Sequence, residues 1–141
     1  MLNRNITAAD VQAWMTVDEL FPAGFPLEQF SMDSAVVADT IQEVETRMTL
    51  DGKLVAGYTP APKNVNFTVE PSSPTIPYLR ELAQAQRAGT RTYEVNLAIQ
   101  VPSQNRTYRF VHGYLIGAQP MPSVQKTLAP MQFNFQFEGV E

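Results

Sequence analysis

The chain has 141 residues, 44% hydrophobic and 17% charged, with no cysteine and a net charge of −4. That is the size of one domain built on one core, and it is too apolar for wholesale disorder. Without cysteine, disulfide frameworks, thiolate nucleophiles and cysteine-bound zinc are excluded, and the acidic balance disfavours general binding to nucleic acid or to membrane surfaces.

The N-terminus, "MLNRNITAADVQAW", carries no apolar signal segment and no window approaches a membrane span, so synthesis and folding in a cytoplasm are expected. The matches to the glycosylation sequon at Asn5, Asn66 and Asn105 then read as chance. Residues 1–60 hold nine Asp/Glu against three Lys/Arg and residues 61–141 hold five against seven, giving −6 and +2. Such polarity suits head-to-tail contact between copies, although an uneven solvated surface produces it as well.

In chain order, residues 11–17 alternate as a first strand. The stretch from 18 to 39 has prolines at 22 and 26 and a glycine at 24, which predicts an irregular loop. Its Phe21, Phe25 and Phe30 need cover, either from the loop's own core or from a neighbour. Residues 40–58 predict a long hairpin turning on the two residues Asp51-Gly52. Val44, Thr46, Met48, Leu50 and, across the turn, Val55 are expected on one face, with Glu43, Glu45, Arg47 and Thr49 on the other. A ribbon of that kind is marginal alone, so a second copy is a candidate support.

"NVNFTVE" at 64–70 predicts a strand with Val65, Phe67 and Val69 inward. One helix is expected over 75–88, with Thr75 as N-cap, Pro77 in the first turn and Gly89 closing it. Its apolar stripe is Ile76, Leu79, Leu82 and Ala83. Residues 92–101 alternate again. Residues 107–117 read as apolar on both sides, as a central strand would, with Gly113 marking a bulge or a close backbone approach. After a loop at 118–130, "MQFNFQFE" puts Met131, Phe133, Phe135 and Phe137 on one face and Gln132, Asn134, Gln136 and Glu138 on the other. The expected fold is mainly β: a single domain over 1–141, an antiparallel sandwich or barrel with one flanking helix.

Nothing in this order has the spacing that catalysis needs. His112 is the sole histidine and is read as a neutral core residue of a buried strand. No G-x-S-x-G elbow, phosphate loop or calcium loop occurs. Glu43 and Glu45 could share a cleft as a carboxylate pair but read more simply as a solvated face. No enzyme, cofactor or metal is expected.

The order of elements, and above all "YRFVHGYLIGAQPMPSVQKTLAPMQFNFQFEGVE", resembles the tube-fold proteins of bacteriophage contractile tails: an aromatic strand with a Gly-x-Leu/Ile step, a proline-rich loop and a final alternating strand. The likeness covers residues 40–141. It implies a homo-oligomeric ring, usually hexameric, whose sheets join into one inner barrel around a channel, as tail tube, tube initiator or tube-proximal baseplate ring. It implies other tail proteins as partners (tube, sheath, baseplate or tape measure), DNA that passes through without specific binding, and a place in the virion tail. Subunit contacts would then come from Phe21, Phe25, Phe30, Met48, Leu50, Asp51, Gly52 and Leu54. The channel wall would be Asn64, Asn66, Glu94, Asn96, Gln100, Gln132, Asn134 and Gln136, which otherwise form an ordinary solvent-facing sheet. Two other readings stand beside this one: a carbohydrate- or protein-binding β-sandwich using Trp14, Tyr58, Tyr78 and Tyr108, and an oligonucleotide-binding barrel using Arg91, Arg106 and Arg109.

Overall fold

The structure is a computed structural model that describes residues 11–27 and 36–141; Phe30 lies outside them. The strands are β1 (Gln12–Val17), β2 (Phe21–Leu27), β3 (Val36–Ala38), β4 (Val44–Met48), β5 (Leu54–Tyr58), β6 (Lys63–Val69), β7 (Val95–Val101), β8 (Arg106–Ala118) and β9 (Met131–Val140), with helix α1 (Ile76–Gly89) between β6 and β7. Seven strands form one antiparallel sheet in the order β2-β1-β7-β8-β9-β6-β3, and β4 and β5 pair separately.

The expected alternation governs the centre of this sheet. Phe133, Phe135 and Phe137 of β9 pair with Phe67, Val65 and Lys63 of β6, and all three rings are almost fully buried. Val95, Leu97 and Ile99 of β7 and Ala13, Met15 and Val17 of β1 continue the same face. Over it lies α1, whose Ile76, Leu79 and Leu82 are buried, each contributing about 1.5–3 kcal/mol. The helix begins after Thr75 as expected, but Thr75 makes no side-chain cap; Gly89 is its last residue, and Thr90 takes the left-handed conformation that ends it. The Thr75 hydroxyl instead donates to the Pro26 carbonyl at 3.2 Å, and Tyr78 stacks on Phe25 at 4.6 Å. The segment that leaves β6 near one edge of the sheet thus reaches β2 at the other edge, so the sheet curls around the helix as a half-barrel.

Three expectations need correction. The stretch taken for an irregular loop contains β2, because an edge strand tolerates proline: Pro22 and Pro26 sit on the outermost strand, and the ladder to β1 skips from Phe25 to Phe21. Gly24, at φ +82°, allows that irregularity beside Trp14. The hairpin turn is a five-residue loop, Thr49–Lys53, since Met48 pairs with Leu54. This register puts Leu54, Ala56 and Tyr58 beside Met48, Thr46 and Val44, and moves Val55 to the opposite face with Arg47.

The third concerns β8. Against β7 the register passes from Leu97–Phe110 to Val95–Gly113, so one extra residue is inserted at Val111-His112. Inward positions therefore run Phe110, Gly113, Leu115. What read as a strand apolar on both sides is an alternating strand whose phase shifts by one. His112 stands on this bulge at φ +53° with its side chain exposed, not in the core. Its backbone N–H donates to Asn96 Oδ1 at 3.2 Å, and Nδ1 contacts the Glu94 carboxylate.

Gly113 fits because Phe137 leaves no space for a side chain: an added Cβ would overlap the phenyl ring and lie 2.8 Å from the Gln136 carbonyl. Gly113→Ala should therefore lower stability by about 1–3 kcal/mol, as overpacking does, measured as the shift in the urea midpoint. His112→Gly should change it little, because relief of about 1–2 kcal/mol of left-handed strain offsets the loss of an exposed contact with Glu94 contributing about 0–1 kcal/mol. His112→Val, β-branched at a positive φ, should cost more than about 1 kcal/mol.

Candidate assembly surfaces

Because β-strand side chains alternate, burying the aromatic row commits every intervening residue to the opposite face. Across that face Asn66 pairs with Asn134, Asn64 with Gln136 and Thr68 with Gln132. On the other half of the sheet Gln12 pairs with Gln100 and Thr16 with Asn96. All eight residues expected to line a channel (Asn64, Asn66, Glu94, Asn96, Gln100, Gln132, Asn134 and Gln136) thus lie together on the face away from α1. They are exposed or half-buried. Cations on this face are few: Arg109, which sits across from Ala98 and opposite Glu141, and His112 beside Glu94; Glu138 and, opposite Glu94, Asp18 add negative charge. Sequence reasoning missed the contribution of the bulge, which turns the only histidine onto this surface.

The second surface is the β4–β5 ribbon, and every one of its ten strand residues is exposed. Its base is tied down: Asp39 N–H donates to the Asn64 carbonyl at 3.0 Å, and Lys63 Nζ lies 3.7 Å from Glu43. Its tip is ordered locally. The Thr49 hydroxyl donates to Asp51 Oδ1 at 2.6 Å and accepts from Lys53 N–H at 3.1 Å. That bond, with one from the backbone, holds the Asp51 carboxyl below its ordinary pKa. Of the expected contact residues, Met48 and Leu54 are about two-thirds exposed and Leu50 stands fully in solvent, with Asp51 and Gly52 beside it. Phe21 is half-buried against Phe25 and Tyr78. Phe25 is buried in the chain's own core, because β2 turns it inward, and so offers no ring to a neighbour.

The residues of the two other readings do not converge. Trp14 is on the amide face, Tyr58 on the ribbon, and Tyr78 is stacked over Phe25. Tyr93 and Tyr108 are each covered by a nearby arginine, Arg91 and Arg106, while Arg91 also pairs with Glu19 at 2.8 Å. Arg106, which opens β8, and Arg91, just before β7, fall at opposite ends of the sheet. Glu43 is held by Lys63 and Glu45 stands on the bare ribbon. Among the described residues no group of three or more His, Asp or Glu could hold a metal ion, and no helix is long and apolar enough to cross a membrane.

Comparison with known proteins places this arrangement. No curated protein sequence matches the chain. Solved structures with the same fold include a chain of the anti-feeding prophage baseplate (TM-score 0.60, 10% identity, covering 97% of this chain and 94% of that one). Another is a chain of the sheath/tube terminator of the extracellular contractile injection system PVC (TM-score 0.58, 11% identity, 97% and 95%). A third belongs to the sheath–tube complex of that system (TM-score 0.56, 11% identity, 92% and 86%). The fold is therefore that of contractile injection system tube and baseplate assemblies, as the order of elements implied. Residues 4–141 match the family model described as tail fiber protein gp32, and the chain belongs to that family.

Proposed function

We propose that this chain is a structural subunit of a phage tail that assembles into a ring, usually of six copies, around a DNA-conducting channel, as tail tube protein or as a tube-like baseplate or initiator component. Its partners are copies of itself and other tail proteins, and its place is the virion tail. The observation that carries the reading is the sheet's division into an aromatic face sealed by α1 and a broad amide face with few cations. A wall of amides is wet and nearly neutral. DNA slides past it, because affinity for the backbone comes from neutralising phosphates with Lys and Arg, and this face sets Arg109 against Asp18, Glu94, Glu138 and Glu141.

The free surface points to association as well. A bare two-stranded ribbon is marginal in water, and the exposed Val44, Met48, Leu54 and Tyr58 form an apolar strip that copies of the chain can bury. Among the described residues the main sheet ends in a three-residue β3 and a proline-bearing β2, and prolines blunt an edge against forming a long open ladder. The ribbon and the flank around Phe21 are thus the main subunit contacts in this reading. Placing the amide face inward sets α1 outward, where other tail proteins are met.

Asn134→Arg with Gln136→Arg tests the lumen assignment. Virions carrying both should assemble with normal tails and eject DNA poorly, infectivity falling on the order of tenfold or more as added cations hold phosphates. Normal ejection from fully substituted virions would overturn it.

A further inference from the structure

A small groove lies beside α1, at the other end of the sheet from the ribbon. Along α1, Arg80, Ala83, Gln84 and Arg87 fall on one side at helical spacing. With Ala118 at the end of β8, Pro120 just beyond it, and Met131 and Phe133 at the start of β9, they surround a small groove of about 90 Å³. Ligand pockets begin at about 300 Å³, so this groove suits a single aliphatic side chain. Its floor is apolar, Met131 and Phe133 being buried. Its rim is cationic, and neither Arg80 nor Arg87 makes an ion pair among the described residues.

The ribbon's tip carries the complementary pair. Leu50 is fully exposed, and Asp51, beside it, is held by Thr49 alone among side chains. The two features cannot easily meet within one copy. The ribbon is anchored at Lys63, which pairs with Phe137, whereas the groove lies where Val69 pairs with Met131. These points are six residues apart along the strand, or about 20 Å, and the ribbon leaves from the far end.

We propose that the hairpin tip of one copy seats in this groove on a second copy, Leu50 filling the cavity and Asp51 facing Arg80 and Arg87. The assignment rests on the self-assembling reading above and names the partner surface of its ribbon. Since tip and groove are different patches at opposite ends, the contact is heterologous and repeats from copy to copy along the strand direction, which is how stacked rings grow. It also pairs the acidic half of the chain with the basic half.

A cysteine-free chain makes the test direct. Leu50→Cys and Gln84→Cys are both at exposed positions, where substitution leaves folding intact. Mixed under mild oxidation, the two full-length variants should give a disulfide-linked heterodimer on a non-reducing gel, and Leu50→Cys with Asn134→Cys should not. Adding Asp51→Arg to the first variant should reduce the cross-link about fivefold or more, because like charges then face each other. Arg87→Asp in the second should restore it. Negative-stain images of the wild-type chain report ring formation separately. Rings without the cross-link, or Leu50→Cys linking only to itself, would overturn the groove assignment while leaving the ring. The cross-link without rings would uphold the contact and remove the ring, and the absence of both would remove both.

Discussion

The structure depends on one pairing, that of β6 with β9. Seven consecutive residue pairs hold these strands in a single register, and a slip of one position would turn Phe133, Phe135 and Phe137 into solvent and the amides into the core. Each buried phenyl side chain is worth about 1.5–3 kcal/mol, so this register is strongly preferred over its neighbours. α1 then has one surface on which Leu79 and Leu82 can be buried, and it crosses to β2 because Thr75 and Tyr78 find Pro26 and Phe25 there. The two bulges of β8, at Val111-His112 against β7 and at Ile116 against β9, add the local bend that lets the sheet curl.

From that register follows the division of surfaces on which the functional account stands. One face is used internally, the other carries mostly amides with few cations, and the ribbon is left outside both. A ribbon that covers nothing of its own chain is marginal alone, so whatever covers it adds to its stability. The family's description speaks of a tail fiber. The fold is the one found in the tube and baseplate assemblies of contractile systems.

Much of this was legible in the sequence, for physical reasons that also explain the rest. Period-2 alternation in β6, β7 and β9 and the 3.6-residue stripe of α1 are strong because whole faces are buried. β2 was hidden by Pro22 and Pro26, which exclude a central strand but are tolerated on an edge. The bulge in β8 was half visible: Gly113 marked it, but the spacing Phe110, Gly113, Leu115 was read as two apolar faces instead of one face with an inserted residue, which sent His112 to the wrong side. The groove beside α1 was not legible at all. It joins residues 80–87 of the helix to residues 118–133, and no local pattern announces that meeting.

The central claim is that the amide face turns inward in an assembled ring. A cryo-electron microscopy reconstruction of particles formed by the purified chain, alone or co-expressed with its tail neighbours, reads this without further inference. The account predicts a ring whose hole is lined by β6, β9 and the outer residues of β7, with α1 at the periphery. A ring with α1 facing the hole, or a chain that stays monomeric at high concentration and beside its tail neighbours, would contradict it.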